Sequence, residues 1–103
     1  MDVLVTYDIA TMNAAGERRL ARIAAVCERY GVRAQYSVFE CRLSPASLQT
    51  LIGELLDVIK SDEDSINIYR LERPMPEVRQ SFGIRKPSLG QPWIMAPRTS
   101  GDP

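Results

Sequence analysis

The sequence predicts a single α+β domain, and three features of the chain indicate this class. A β-branched, apolar run without Gly or Pro at Val3–Tyr7 is typical of a strand covered on both faces. Two stretches, Glu17–Tyr30 and Pro45–Ile59, carry apolar residues at helical spacing. Segments of alternating hydrophobicity follow each of these helices. At 103 residues the chain has the length of one domain.

The first half of the chain predicts a strand, a loop and a helix. Asp8 ends the strand, and residues 9–16 have the small and polar composition of an ordered but mobile loop. The first helix is expected over Glu17–Tyr30, and Gly31 supplies the expected stop signal.

The second half predicts more strands around one further helix. Arg33–Leu43 alternates but changes phase, which indicates either a bulge or a break into two strands. Ser44 is the expected N-cap and Pro45 the first residue of the second helix. Ser65–Leu71 predicts another strand, whose apolar positions again change phase.

This order of elements predicts a ferredoxin-like βαββαβ sandwich, an antiparallel sheet with two helices on one face. One layer of helices leaves the other sheet face uncovered, so a homodimer through the sheet faces is expected. Residues 1–84 are expected to form the domain, including a short extra C-terminal strand at Val78–Phe82. This strand would add to a sheet edge of its own protomer or of the sister subunit. Residues 85–103 predict a Pro-rich, partly ordered tail, in which the apolar group Trp93–Met95 either docks on the domain or binds a partner.

Composition excludes several classes of function. No apolar run reaches the roughly 20 residues that cross a bilayer, so a soluble, cytoplasmic protein without membrane contact is expected. With no histidine and two cysteines, the chain cannot form the usual zinc sites or use imidazole catalysis. Cys27 and Cys41 are expected as free thiols in the core. Hydrolytic chemistry would therefore depend on carboxylates and a hard metal ion.

Asp8 is the leading candidate for such a carboxylate. One interpretation is structural, because an Asp at a strand end often accepts hydrogen bonds from the following turn. The other uses the dimer, in which two copies of Asp8 would face each other. Two such charges about 4 Å apart repel by roughly 4 kcal/mol at an effective dielectric of 20. A shared proton or a Mg²⁺ ion would relieve that repulsion.

Arginines dominate the surface of the first helix. Arg18, Arg22 and Arg29 form one row opposite its apolar face. The row is either a solvated helix face, paired in part with Glu17 and Glu28, or a surface that binds nucleic-acid phosphates.

Five segments, in this order and spacing, resemble the small CRISPR-associated endoribonuclease/endonuclease family that partners the spacer integrase (the CRISPR-associated protein 2 family). They are Tyr7-Asp8-Ile9, Glu17-Arg18-Arg19-Leu20, Cys27-Glu28-Arg29-Tyr30-Gly31, Gln35–Cys41 and Asp64–Tyr69. The resemblance implies a homodimeric ferredoxin-like fold in which Asp8 is the catalytic, metal-binding residue. It also implies that Arg18, Arg19 and Arg33 match basic positions near the site or the nucleic acid, while Arg22 is added from the helix row.

Two functions follow from this resemblance. The first is a Mg²⁺-dependent endonuclease of spacer acquisition, with one ion shared between the two Asp8 residues of a dimer. The second is a non-catalytic scaffold that grips double-stranded DNA and bridges the spacer integrase, and single-stranded RNA is a further target to consider. A small-molecule sensor of similar fold is disfavoured, because residues 9–16 hold a single glycine, Gly16.

Overall fold

The computed structural model describes residues 1–84 and forms one antiparallel sheet with helices. Its strands are β1 (Asp2–Asp8), β2 (Gly31–Gln35), β3 (Val38–Arg42) and β4 (Ser65–Arg70), and its helices are α1 (Ala14–Glu28), α2 (Pro45–Leu56) and the short α3 (Met75–Val78). The strands lie in the order β2-β3-β1-β4, so β1 is central as predicted. The α+β class and the βαββαβ order are confirmed.

The core lies between the sheet and the two long helices. Every second residue of β1 faces the helices and is buried, namely Val3, Val5 and Tyr7. Cys27 and Cys41 are buried free thiols, as predicted. Burial raises the pKa of Cys27 to about 12 and that of Cys41 to about 11, so both remain protonated at neutral pH.

Helix α1 begins three residues earlier than predicted. Asn13 is its N-cap, and the Asn13 side chain accepts a hydrogen bond of 2.9 Å from the amide of Gly16. Gly16 therefore belongs to the first helical turn and not to a mobile loop.

Gly31 does not end α1 by a left-handed conformation, since the only described glycine with positive φ is Gly83. Gly31 instead opens β2, where a Cβ would lie 2.3 Å from the carbonyl oxygen of Glu40. A glycine is needed here because the two strands approach closely.

The phase change in Arg33–Leu43 comes from a turn at Tyr36–Ser37, which separates β2 from β3. The register also shifts between Arg33 and Gln35, so a strand break and a bulge are both present. The start of α2 agrees with the sequence, because Ser44 caps it by accepting a hydrogen bond of 3.1 Å from the amide of Ser47.

No strand forms at Val78–Phe82 within a single protomer, so this segment does not pair with its own sheet, while its pairing with a sister subunit stays a prediction. Pro74 precedes a single helical turn, α3, in which Pro76 is the second residue and Met75 is buried, and no strand pairing follows it up to residue 84. An ion pair of 3.0 Å between Arg79 and Glu40 holds this segment on the sheet. The predicted tail, including Trp93–Met95, lies outside the described residues. Within residues 1–84, no helix is long and apolar enough to cross a membrane.

Candidate functional site

Asp8 ends β1 on the sheet face that the two long helices leave uncovered. It shares that face with Leu4 and Thr6, because alternate strand residues point the same way. Its backbone pairs with Ser65 at the start of β4. The residue is exposed, and its side chain has no hydrogen bond or ion pair to any described residue. The carboxylate is therefore available to a ligand.

The turn between β2 and β3 lies on the other side of the β1 end. The amide of Tyr7 donates to the carbonyl of Ser37 at 3.1 Å, and the hydroxyl of Tyr7 donates to the carbonyl of Tyr36 at 3.2 Å. The side chain of Tyr36 is 90% exposed. Asp8 is thus flanked by this turn, with its exposed Tyr36 side chain, and by Ser65.

The structural role considered for Asp8, accepting a hydrogen bond from the backbone that follows β1, is performed by Asp64. By composition, Asp64 is one of several acids in the turn before β4. Asp64 accepts a hydrogen bond of 3.0 Å from the amide of Ala10, in the loop that follows Asp8. It also accepts bonds of 2.9 Å from the amide of Lys60 and 2.8 Å from Nε of Arg19. The Arg19 guanidinium, followed by these backbone donors, lowers the pKa of Asp64 to about 2 although burial opposes the charge.

The arginine row divides into free and paired members. Arg18 and Arg22 are exposed and form no ion pair with any described residue. Arg29 instead pairs with Glu54 of α2, not with Glu28, and its guanidinium carbon lies 5.9 Å from the ring centroid of Tyr30. The row is therefore interrupted towards the end of α1.

Two further arginines implied by the family resemblance lie in different surroundings. The side chain of Arg19 is 13% exposed and contacts both Asp64 and Glu63. The guanidinium carbon of Arg33 lies 5.1 Å from the ring centroid of Phe39, a cation–π contact that holds it beside the core. Nucleic-acid binding by either residue stays a prediction.

The chemistry of Asp8 fits a hard divalent cation. Carboxylate and hydroxyl oxygens are ligands that Mg²⁺ prefers, and Asp8 and the neighbouring Ser65 offer both. Within residues 1–84, no three acidic or cysteine side chains are grouped so that they could hold one metal ion. One protomer therefore offers a single carboxylate at this end of β1, and a second copy or a phosphate would supply more oxygens.

Comparisons with known proteins agree with these features. The chain matches the family model described as CRISPR associated protein Cas2 over residues 1–75. It is 42% identical over 84 residues to the CRISPR-associated endoribonuclease Cas2 1 of Moorella thermoacetica, covering 82% of this chain and 88% of the relative. It is 45% identical over 89 residues to the CRISPR-associated endonuclease Cas2 of Halalkalibacterium halodurans, covering 86% and 92% of the two chains.

A solved structure is similar as well. The crystal structure of Streptococcus pyogenes Cas2 at pH 6.5 superposes with a TM-score of 0.74 at 40% sequence identity. The match covers 81% of this chain and 100% of that chain.

Proposed function

This chain belongs to the Cas2 family of CRISPR-associated proteins, and on that premise we propose that it is a Mg²⁺-dependent endonuclease of spacer acquisition that works as a homodimer. The observation that carries the proposal is the state of Asp8, an exposed carboxylate at the end of the central strand without a described partner. Asp2 and Asp64, by contrast, are both buried and hydrogen bonded. A carboxylate kept free in this way is suited to a ligand.

The homodimer is proposed from the uncovered sheet face. Tyr69, which lies opposite Leu4 in the register, is 51% exposed on this face. Among residues 1–84, the short α3 contacts the sheet at Asp2, and Arg79 contacts it at Glu40. Two copies packed through this face would bury such residues and bring their Asp8 side chains towards each other. A shared Mg²⁺ ion would offset the repulsion of the two charges.

The residues have distinct roles in the proposed reaction. The two Asp8 carboxylates would hold the ion, which, when bound, polarises a phosphodiester and makes a water molecule more acidic. Arg18 and Arg22 would bind backbone phosphates and align the strand across the site, because a guanidinium matches phosphate geometry. Tyr36, beside the strand end, offers an exposed ring on which a base can stack.

Cleavage assays on single-stranded RNA and double-stranded DNA across a Mg²⁺ titration test the proposal. Asp8→Asn keeps the shape of the side chain but removes its charge, so we expect the cleavage rate to fall by at least about 100-fold. Asp62→Asn is the matched control, because Asp62 is an exposed acid on the turn before β4 and, within residues 1–84, its side chain pairs with Lys60 alone. Equal cleavage by wild type and Asp8→Asn would reject the role of Asp8, and cleavage unaffected by EDTA would reject the metal dependence. Absence of cleavage by wild type at every Mg²⁺ concentration would reject the endonuclease.

The exposed arginines favour a second candidate, a DNA-binding scaffold that bridges the spacer integrase without hydrolysis. A scaffold needs Arg18 and Arg22 but not Asp8, so Asp8→Asn should bind duplex DNA and the integrase as wild type does. Spacer uptake in cells that carry Asp8→Asn separates the two candidates. Normal uptake together with unmeasurable cleavage would favour the scaffold.

A further inference from the structure

We propose that Asp64 and Arg19 are positioning residues for Asp8, and that Arg19 acts by holding Asp64 and not by contacting nucleic-acid phosphates. The inference rests on the proposed metal-binding role of Asp8. It assigns a task to a buried ion pair that neither the sequence nor the family resemblance identified.

The loop that follows Asp8 is fixed from two directions at Ala10. The amide of Ala10 donates to Oδ1 of Asp64 at 3.0 Å. Its carbonyl oxygen packs against Gly16, where a Cβ would lie only 1.9 Å away. Ala10 follows Asp8 by two residues, so a shift of this loop would move the end of β1.

Asp64 also fixes the strand beside Asp8. It directly precedes Ser65, the first residue of β4 and the backbone partner of Asp8. A single carboxylate therefore joins the loop after β1, the start of β4 and helix α1. These are the segments that determine where the Asp8 carboxylate lies.

Arg19 is required because the Asp64 side chain is fully buried. Its Nε and Nη2 atoms donate to the two Asp64 oxygens at 2.8 and 3.2 Å, as a guanidinium fork does. A phosphate that took over this fork would leave a buried charge with only backbone donors, which is costly. Arg18 and Arg22 are exposed and pair with no carboxylate among the described residues, so they can bind phosphates without this cost.

The experiment compares Arg19→Gln with Arg18→Gln, two neighbours on α1 that lose the same charge. Amide hydrogen exchange is followed by NMR at Ala10 and, as a reference within α2, at Leu51. We expect Arg19→Gln to speed exchange at Ala10 on the order of 10-fold relative to Leu51, and Arg18→Gln to leave that ratio unchanged. Asp64→Asn should reproduce the Arg19→Gln result, and it serves as the second variant if Arg19→Gln folds poorly.

Two binding measurements complete the test. Mn²⁺, used as a probe for Mg²⁺, should bind on the order of 10-fold more weakly to Arg19→Gln. The salt dependence of duplex binding should not change in Arg19→Gln. In Arg18→Gln its slope should fall by about 1 for each phosphate that the side chain no longer neutralises.

The outcomes separate this inference from the proposed function. An unchanged Ala10 exchange ratio, equal acceleration at Ala10 and Leu51, or a reduced salt slope in Arg19→Gln would each overturn the positioning role. If wild type binds no Mn²⁺, the proposed metal site fails, while the exchange and salt measurements still decide what Arg19 does.

Discussion

The two ends of β1 each carry an aspartate on the same sheet face, but Asp2 is buried and paired whereas Asp8 is exposed. Asp2 is 5% exposed, and its carboxylate accepts bonds of 2.7 and 3.0 Å from Arg42 and one of 2.7 Å from the amide of Met75. The Arg42 hydrogen bond is the main cause of a lowered pKa at Asp2. Asp8, six residues further along, is exposed and has no described partner.

The difference teaches that pairing, and not position in the strand, separates a structural carboxylate from an available one. Register places Arg42 directly opposite Asp2, while Asp8 is opposite the uncharged Ser65. A carboxylate whose oxygens are all used stabilises the fold. One whose oxygens are free can take a cation.

The largest expected effect is on the affinity for duplex DNA, when exposed arginines are compared with an arginine that is paired with a carboxylate. The double variant Arg18→Gln with Arg22→Gln removes two exposed cations, and duplex affinity near 0.1 M salt should fall on the order of 100-fold if both contact phosphates. Arg42→Gln is the matched control, since Arg42 is engaged with Asp2. The measurement is fluorescence anisotropy over a range of salt concentrations. An equal loss in Arg42→Gln would show that pairing does not separate the two kinds of arginine.

A smaller effect is expected on stability. Asp2→Asn leaves the buried amide of Met75 and the exposed guanidinium of Arg42 without their full acceptor, so the free energy of unfolding should fall by about 1 to 3 kcal/mol. Asp8→Asn breaks no described contact and should leave the unfolding midpoint unchanged, or raise it in a dimer where two charges repel. Urea denaturation of both variants measures this. A drop for Asp8→Asn as large as that for Asp2→Asn would refute the contrast.

The last expected effect is on how the free energy of unfolding changes at acidic pH. The pKa of Asp64 is lowered from 3.8 to about 2 in the folded protein, and that of Asp2 is lowered as well. Both carboxylates therefore stabilise the fold above their unfolded pKa, and this stabilisation is lost as the pH falls from about 4 towards 2. Urea unfolding at several acidic pH values should show a shallower decline for Asp64→Asn than for wild type. Asp62→Asn should follow wild type, and an unchanged slope in Asp64→Asn would contradict the assignment.

Signals within a few residues of each other predicted most of the fold. The cap at Ser44, the apolar stripe of α2 and the end of β1 at Asp8 could all be found in short windows of sequence. The predicted start of α1 is three residues late because Gly16 favours a loop, whereas the Asn13 side chain caps the helix before it. The helical turn α3 was missed because alternation over Val78–Phe82 favoured a strand.

The candidate site was predictable only in part, because its supporting contacts join distant segments. Arg19 and Asp64 are 45 residues apart, and Ala10 and Asp64 are 54 apart. No helical or strand periodicity relates such positions. Composition and periodicity do not distinguish Asp64 from Asp62 or Glu63, two acids of the same turn that remain accessible to solvent. The family resemblance includes Asp64 but assigns it no contact.

The central place of β1 also has a consequence for the order in which the domain is assembled. The hairpin of β2 and β3 joins neighbouring residues and can close early, and β1 can then pair with β3. The second partner of β1 is β4, which begins only at Ser65 and is the strand that pairs with Asp8. During synthesis Asp8 is among the first residues translated, but the amide of Ala10 in the loop after it has no acceptor at Asp64 until most of the domain has been translated. We expect the Asp8 end of β1 to be among the last parts of the protein to become ordered. A truncated or nascent chain would then contain Asp8 without a formed site.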